Sequence, residues 1–403
     1  MSFDVRPCAD LDEFSHAMLG IGQYFSLELG SERLERFSKN LPIERMHAAR
    51  EDGNVVGGAG AFPFEVTVPG AIVPAAGVTV VGTYPTHRRR GVLRAMMRAQ
   101  LDDVHERGEP LALLFSSEET IYGRYGYGLA SFAGEISLPR ESPFAAPLEP
   151  RGRMRLVEKE EAQELFPHVW EAVRPRVPGM LGRTSDWWEY RILFDSPDTR
   201  EGGGPKRFVA LETDDGPEGY AVYRHRPKCE HFLPACELDV VEAVALDGRA
   251  TAELWRFLLD IDWAARVTSW LLPLDHQLFH LLAHPRRMGF RIFDGLWARL
   301  VDVGAALSAR SYAGEGSVVI EVEDAFCPWN EGRWKLEDGE AVRTRAAADF
   351  RSDVAMLGSV YFGAFGFSEL VRAGRIEELS PGAAVRADSL FAADRKPWCP
   401  EIF

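Results

Sequence analysis

The stretch that decides the fold runs over residues 78–128, VTVVGTYPTHRRRGVLRAMMRAQLDDVHERGEPLALLFSSEETIYGRYGYG. Val78, Val80 and Val81 are β-branched residues in a short apolar run closed by Pro85, the composition of a buried strand. His87, Arg88, Arg89, Arg90 and Gly91 form a basic turn. From Val92 to Arg107 the apolar residues Leu93, Met96, Met97, Leu101 and Val104 keep the period of a helix, and Gly108 stops the run. PLALLFSS then reads as a second buried strand, and Ser116-x-x-Glu119 as a capping box for a short helix carrying Ile121, Tyr122 and Tyr125.

The order strand, basic turn, helix has a chemical meaning. A helix N-terminus carries unpaired N–H groups and a positive dipole end, so arginines and a close-approach glycine placed there make a site for a pyrophosphate. Alone, the turn reads equally well as a solvated basic corner. What raises its specificity is the strand and tyrosine helix that follow, which deliver two phenols beside it.

The spacing Arg88-x-x-Gly91 resembles the acetyl-CoA motif of the GNAT N-acetyltransferases, with Leu93 where the usual form has a second glycine or alanine. The succession V-x-V, RRRG and IYGRYGYG looks like the Eis (enhanced intracellular survival) family of GNAT enzymes, and the FCPWN segment at 326–330 and the final phenylalanine fit it too. The resemblance covers essentially the whole chain. It implies an α+β protein of tandem GNAT-like domains followed by a sterol-carrier-protein-like α/β domain, with limits expected at 1–145, 146–292 and 293–403. It implies acetyl-CoA as co-substrate, no metal, and a homo-hexamer. The pantetheine arm is expected along Val81, Gly82 and Thr83 and the pyrophosphate at Arg89, Arg90, Gly91, Val92, Leu93 and Arg94, with Ser117 and Glu118 lining the cofactor path. Tyr122 is expected to act as the general acid, Tyr125 being the competing phenol, and the terminal carboxylate of Phe403 as the base. The implied acceptors are primary amines of polycationic small molecules such as aminoglycosides. Acetylation of protein lysines, or a vestigial transferase site beside a lipid-binding C-terminal domain, remain open alternatives.

A chain of 403 residues with 46% hydrophobic content has room for several cores, and three domains are expected. The net charge of −15 and pI near 5.2 argue against nucleic acid or an anionic membrane as partner and suit a cationic substrate. The N-terminus lacks a basic n-region with an apolar core, so a cytoplasmic protein is expected. Cys8, Cys229, Cys236, Cys327 and Cys399 are widely spaced and odd in number, which reads as free thiols. Cys229, His231 and Cys236 match no common zinc module and bring no evident fourth ligand.

The remaining chain supplies the frame. FDVRP reads as an early strand, LDEFSHAMLGIGQYF and SERLERFSKNL as helices over a cleft, where Asp12, Glu28 and Glu32 are candidates to meet a cationic acceptor. Residues 44–68 read as two strands turning at Glu51-Asp52-Gly53-Asn54, with a bulge at Gly57, Gly58 and Gly60 rather than a phosphate loop. The proline-bearing stretch RESPFAAPLEP, 140–150, reads as a linker. Beyond it a second GNAT-like order of helices, strands, helix and strand has Asp247-Gly248-Arg249 in place of the arginine–glycine turn, so it is read as structural. His276, His280 and His284 recur every four residues, as they would on one face of a helix packed among leucines. A third region begins near Leu296 with alternating strands, followed by LGSVYFGAFGFSELVRAGRIEEL with helical character, and Trp329, Trp334, Phe362 and Phe365 read as core.

Overall fold

The computed structural model describes residues 3–25, 30–230 and 233–403. It holds two compact units, one made of Met1–Ser131, Leu296–Asp394 and Ile402–Phe403, the other of Phe132–Gly295 and Arg395–Glu401. Glu28 and His231 lie outside the described residues.

The first unit opens with β1 (Asp4–Pro7), α1 (Leu11–Gly22), α2 (Ser31–Asn40), β2 (Met46–Glu51), β3 (Asn54–Val68) and β4 (Ala71–Thr83). After the basic turn come α3 (Val92–Glu106), β5 (Leu111–Phe115), α4 (Glu119–Tyr122) and β6 (Gly128–Leu129). The strands form one sheet in the order β1-β2-β3-β4-β5, then the strand Leu296–Leu300, then β6. β4 and β5 are parallel, which requires a crossover, and α3 provides it. Its Met96, Met97, Leu101 and Val104 are buried, as the periodicity demands; at the first turn it is Val92 that is buried, while Leu93 is only half-buried.

Glycines let α1 lie directly on the sheet. A Cβ at Gly58 would sit 2.5 Å from the carbonyl oxygen of Ala17, and one at Gly20 would sit 2.7 Å from that of Gly82. The pairing of β3 with β4 shifts register between Gly58 and Gly60, so the bulge read from the glycine run is present. Side-chain-free backbone on both surfaces thus brings the C-terminal end of α1 against the outer half of β4.

Leu296–Leu300 departs from the sequence reading. It does not begin the third region but pairs antiparallel with β5, from Leu296↔Phe115 to Leu300↔Leu111, and so completes the first sheet. Leu296, Ala298 and Leu300 are buried on one face, and Arg299 is fully buried on the other, so the strand is covered on both sides at its end. The third region proper has a five-stranded sheet in the order Glu340–Arg343, Gly332–Glu337, Ser317–Glu323, Phe350–Asp353, Ile376–Glu378. The stretch expected to have helical character holds the helices Val354–Tyr361 and Phe367–Arg372 and then the strand Ile376–Glu378, with Gly363 at φ +87° and Gly374 at φ +67° ending the two helices.

In the second unit a seven-stranded sheet runs Arg291–Asp294, Phe132–Pro139, Ala264–Leu272, Cys236–Ala245, Gly216–Arg226, Arg207–Thr213, Arg153–Val157. The helices Lys159–Val173 and Gly248–Asp260 bury Phe166, Trp170, Trp255 and Leu258 in its two apolar clusters. The linker stretch is tied down: the N–H of Ala145 donates to Leu281 and that of Ala283 to Pro143.

The histidines do not share a helix face. The helix spans only Leu278–Leu281, with His276 before it and His284 after it. His276 is buried against Trp255, its Nδ1 accepting from the N–H of Leu278 at 3.1 Å, and burial pushes its pKa down to about 4. A histidine held neutral in the fold stabilises it above the unfolded value near 6.5, and that stabilisation is lost as pH falls toward 4. The wild type is expected to lose roughly 3 kcal/mol more than His276→Gln between pH 7 and 4, read by urea unfolding; equal losses would contradict this.

Candidate active site

β4 and β5 pair at Ala75↔Leu111, Ala76↔Ala112 and Gly77↔Leu113, and there the ladder ends. β4 continues to Thr83 on the strength of its bonds to β3, bending at Val80, whose φ of +47° is a strained value for a β-branched residue. β5 stops at Phe115. Between the parted strands lies a cavity of about 410 Å³, within the usual size range of ligand sites. Val81, Gly82 and Thr83 line one side, and Ser117, Glu118, Ile121 and Tyr122 the other. The outer half of β4 therefore offers its backbone to whatever enters, as a sheet edge offers itself to an added strand.

The basic turn meets the same cavity through Arg88, Arg89 and Leu93. Gly91 caps α3 at φ +94°, and Arg89 stands at φ +60°. The first intrahelical bond of α3 runs from the N–H of Ala95 to Gly91, so the amides of Val92, Leu93 and Arg94 are left for a ligand or solvent. The side chains at three expected positions go elsewhere. Arg90 donates to both oxygens of Glu51, at 3.0 and 2.6 Å. Val92 is buried among Ala49, Val56 and Met96, and Arg94 lies over the Phe326 ring at 5.4 Å. At these positions only the backbone is left to meet a ligand at the helix start.

Tyr122 ends α4 nearly buried, its ring edge-on to Tyr127 at 6.0 Å. Burial, with smaller contributions from Tyr125 and Glu118, pushes its pKa from the ordinary phenol value up to about 12, so a hydroxyl already protonated at neutral pH becomes a weaker acid. The expected capping box does not form. α4 begins at Glu119 with Glu118 as its cap residue, which puts Glu119 too early to reach back to Ser116. Tyr125 packs edge-on to Phe326 at 5.0 Å, and its carbonyl accepts from Arg299. Arg299 is itself fully buried against Asp324 at 2.6 Å, and Asp324 also accepts from Cys327 N–H and Asn330 Nδ2, both at 2.9 Å. The FCPWN segment thus holds the tyrosine turn by its backbone.

Phe403 places its ring edge-on to Phe64 at 5.0 Å and to Phe115 at 6.0 Å, beside Gly77, where the β4–β5 ladder ends. Asp12 is exposed and pairs only weakly with His16 at 3.6 Å, while Glu32 is exposed on α2. Ile21, Tyr24, Phe25 and Ile121 also line the cavity and were not expected there from the sequence. Arg88 was legible as the first arginine of RRRG, and it lies 4.6 Å over the Tyr24 ring. Ile21 and Tyr24 follow from the Gly20–Gly82 contact, which no local signal announces.

Residues 11–130 and 179–300 each match a family described as an acetyltransferase (GNAT) domain, and residues 303–400 match a sterol carrier protein domain. The N-acetyltransferase Eis of Mycobacterium tuberculosis is 37% identical over 355 residues, 84% of each chain. The chain belongs to the Eis family of GNAT N-acetyltransferases. An uncharacterized N-acetyltransferase of Streptomyces avermitilis is 44% identical over 93% of each chain. The crystal structure of Eis1 from Mycobacterium abscessus superposes with a TM-score of 0.88 at 33% identity, covering 99% of this chain and all of the other. A GCN5-related N-acetyltransferase from Anabaena variabilis shares the fold alone, with a TM-score of 0.85 at 21% identity. This Eis-family protein is an α+β N-acetyltransferase with two GNAT domains before a sterol-carrier-like domain, and such domains use acetyl-CoA.

The two kinds of arginine in the turn should separate on substitution. Arg88→Ala with Arg89→Ala is expected to weaken CoA binding by roughly 10²-fold or more in titration calorimetry, since two charge-assisted contacts are lost. Arg90→Ala is expected to cost less than about tenfold, its guanidinium being held by Glu51. An unchanged affinity in the double variant would reduce the turn to a solvated corner.

Proposed function

We propose that the protein transfers the acetyl group of acetyl-CoA to primary amines of polycationic, aminoglycoside-like small molecules by direct attack. The observation that carries this reading is the single cavity in which the free edge of β4, the start of α3 and Tyr122 meet. Val81, Gly82 and Thr83 receive the pantetheine arm as an added strand. The N–H groups at the start of α3, with Arg89 and its neighbours Arg90, Gly91, Val92, Leu93 and Arg94, receive the pyrophosphate. Ser117 and Glu118 border the path, and no metal takes part.

In this reading the amine attacks the thioester carbonyl, a C–N bond forms and the C–S bond breaks. Tyr122, still protonated, donates to the sulfur as negative charge develops there. The nitrogen becomes acidic as its new bond forms, and its proton passes, directly or through water, to the carboxylate of Phe403. An α-carboxylate near its ordinary pKa of about 3.5 is a weak base, so its work is late in the step and largely electrostatic. The net charge of −15 raises the local concentration of a polycation, which favours small cationic amines over an uncharged acceptor. The same reading takes the protein as a cytoplasmic homo-hexamer. Among the described residues no helix is long and apolar enough to cross a membrane.

Thiol release from acetyl-CoA over a panel of amines tests the function. Turnover is expected with aminoglycosides; acetylation of lysine peptides alone would replace the acceptor, and binding of CoA with no turnover on any amine would contradict the enzyme. Tyr122→Phe, and separately a C-terminal extension that turns the Phe403 carboxylate into an amide, should each lower turnover by roughly 10²–10⁴ while CoA affinity stays. Full turnover in the extended chain would remove Phe403 from the mechanism. Light scattering that finds a monomer at micromolar concentration would dismiss the hexamer.

A further inference from the structure

The second unit repeats the construction of the active site and fills it differently. Its strands Cys236–Ala245 and Ala264–Leu272 run parallel across the helix Gly248–Asp260, pairing from Cys236↔Ala264 to Val240↔Ser269. Beyond that they part, and Leu271 turns at φ +59°. At the helix start the Asp247 carboxylate accepts from the N–H groups of Arg249 and Ala250, both at 2.9 Å. The amides a phosphate would take therefore already hold an anion.

The gap between the strands holds part of the chain itself. Trp398 donates its indole N–H to the carbonyl of Leu271 and its backbone N–H to Pro178 at 2.8 Å, and its ring joins the buried cluster of Trp170, Val177 and Tyr220. Gly179, at φ +93°, lets the segment lie flat, since a Cβ there would stand 2.9 Å from the Trp398 carbonyl oxygen. What is left of the opening is a cavity of about 290 Å³ beside Val244, Leu272, His276 and Lys396.

Three residues on, Glu401 is buried in a charged network. Arg183 donates its Nε–H to Glu401 and its other nitrogens to both oxygens of Glu242, and the Trp187 indole donates to Glu401 at 3.1 Å. The guanidinium is fully buried, with its carbon 3.4 Å over the Trp170 ring and 4.6 Å over the Trp188 ring. A carboxylate so deeply desolvated holds its place only while its cation does.

We propose that this gap is a socket whose ligand is the chain's own segment Arg395–Glu401, and that Arg183 and Glu401 form the latch that positions Phe403. Phe403 follows Glu401 by two residues, a reach of about 7 Å at most, so a fixed Glu401 bounds where the last carboxylate can stand. Arg183 and Glu401 are positioning residues. Their effect on turnover rests on the reading of Phe403 given above; the socket itself does not.

Cys399 lies within the segment and is 2% exposed, while Cys327 is buried in the other unit, so thiol labelling of the full chain reads the latch with an internal control. Labelling by iodoacetamide is followed by mass spectrometry in the wild type, Glu401→Ala and the isosteric Glu401→Gln, together with turnover and CoA affinity. Both variants are expected to label Cys399 at least about tenfold faster with Cys327 unchanged, with turnover falling and CoA affinity held. Cys399 labelling no faster than in the wild type, or Cys327 rising in step in both variants, overturns the latch. Faster Cys399 labelling with undiminished turnover leaves the latch standing and removes Phe403 from catalysis instead.

Discussion

The early end of the β4–β5 ladder is the constraint on which the site depends. Two parallel strands that separate after Gly77↔Leu113 leave one strand's backbone unpaired and open a space beside it. In a folded protein such unpaired groups are costly unless water or a ligand meets them. The divergence is maintained by the pairing of β4 with β3 across a bulge, by the strained Val80, and by α1 lying on glycine backbone behind it. Each of these would be a defect in an ordinary sheet. Together they give a preformed slot with a helix start at one end and a phenol at its side.

The phenol's setting shows how distant parts of the chain serve one group. Burial makes the Tyr122 hydroxyl a weaker acid than an ordinary phenol, and Tyr122 shares its buried cluster with Tyr125, Tyr127, Phe326 and Cys327. Those in turn are held by the buried Arg299–Asp324 pair and by Asn330, which draw the strand Leu296–Leu300 and the FCPWN segment onto the tyrosine turn. A charge pair this deeply buried adds little net stability, yet removing one member would leave the other unpaired, so it enforces one arrangement.

Much of this was legible in the sequence, and for local reasons. The periodicity of α3, the β-branched run of β4, the RRRG turn and the glycine bulge are set by residues near one another in the chain. The errors were non-local. Leu296–Leu300 reads as an ordinary strand wherever it pairs, and only its partner β5 assigns it to the first sheet. The histidine spacing suited a helix that chain reversals cut to four residues, Leu278–Leu281. Ser116 and Glu119 match a capping box whose helix starts too late to use it. At the site, Val81, Gly82, Thr83, Arg89, Leu93, Ser117, Glu118 and Tyr122, singled out from the sequence, line one cavity, but Ile21 and Tyr24 enter through tertiary contact, and the diversion of Arg90 to Glu51 depends on β2 lying alongside.

The central claim is that acetyl-CoA occupies the slot where β4 leaves β5. A crystal structure of the full chain with CoA tests it most directly. Pantetheine is expected to run along Val81–Thr83, with the pyrophosphate at the N–H groups of Val92, Leu93 and Arg94 and the sulfur within hydrogen-bond reach of the Tyr122 hydroxyl. CoA bound elsewhere, with the slot empty and Tyr122 remote from the sulfur, would contradict it.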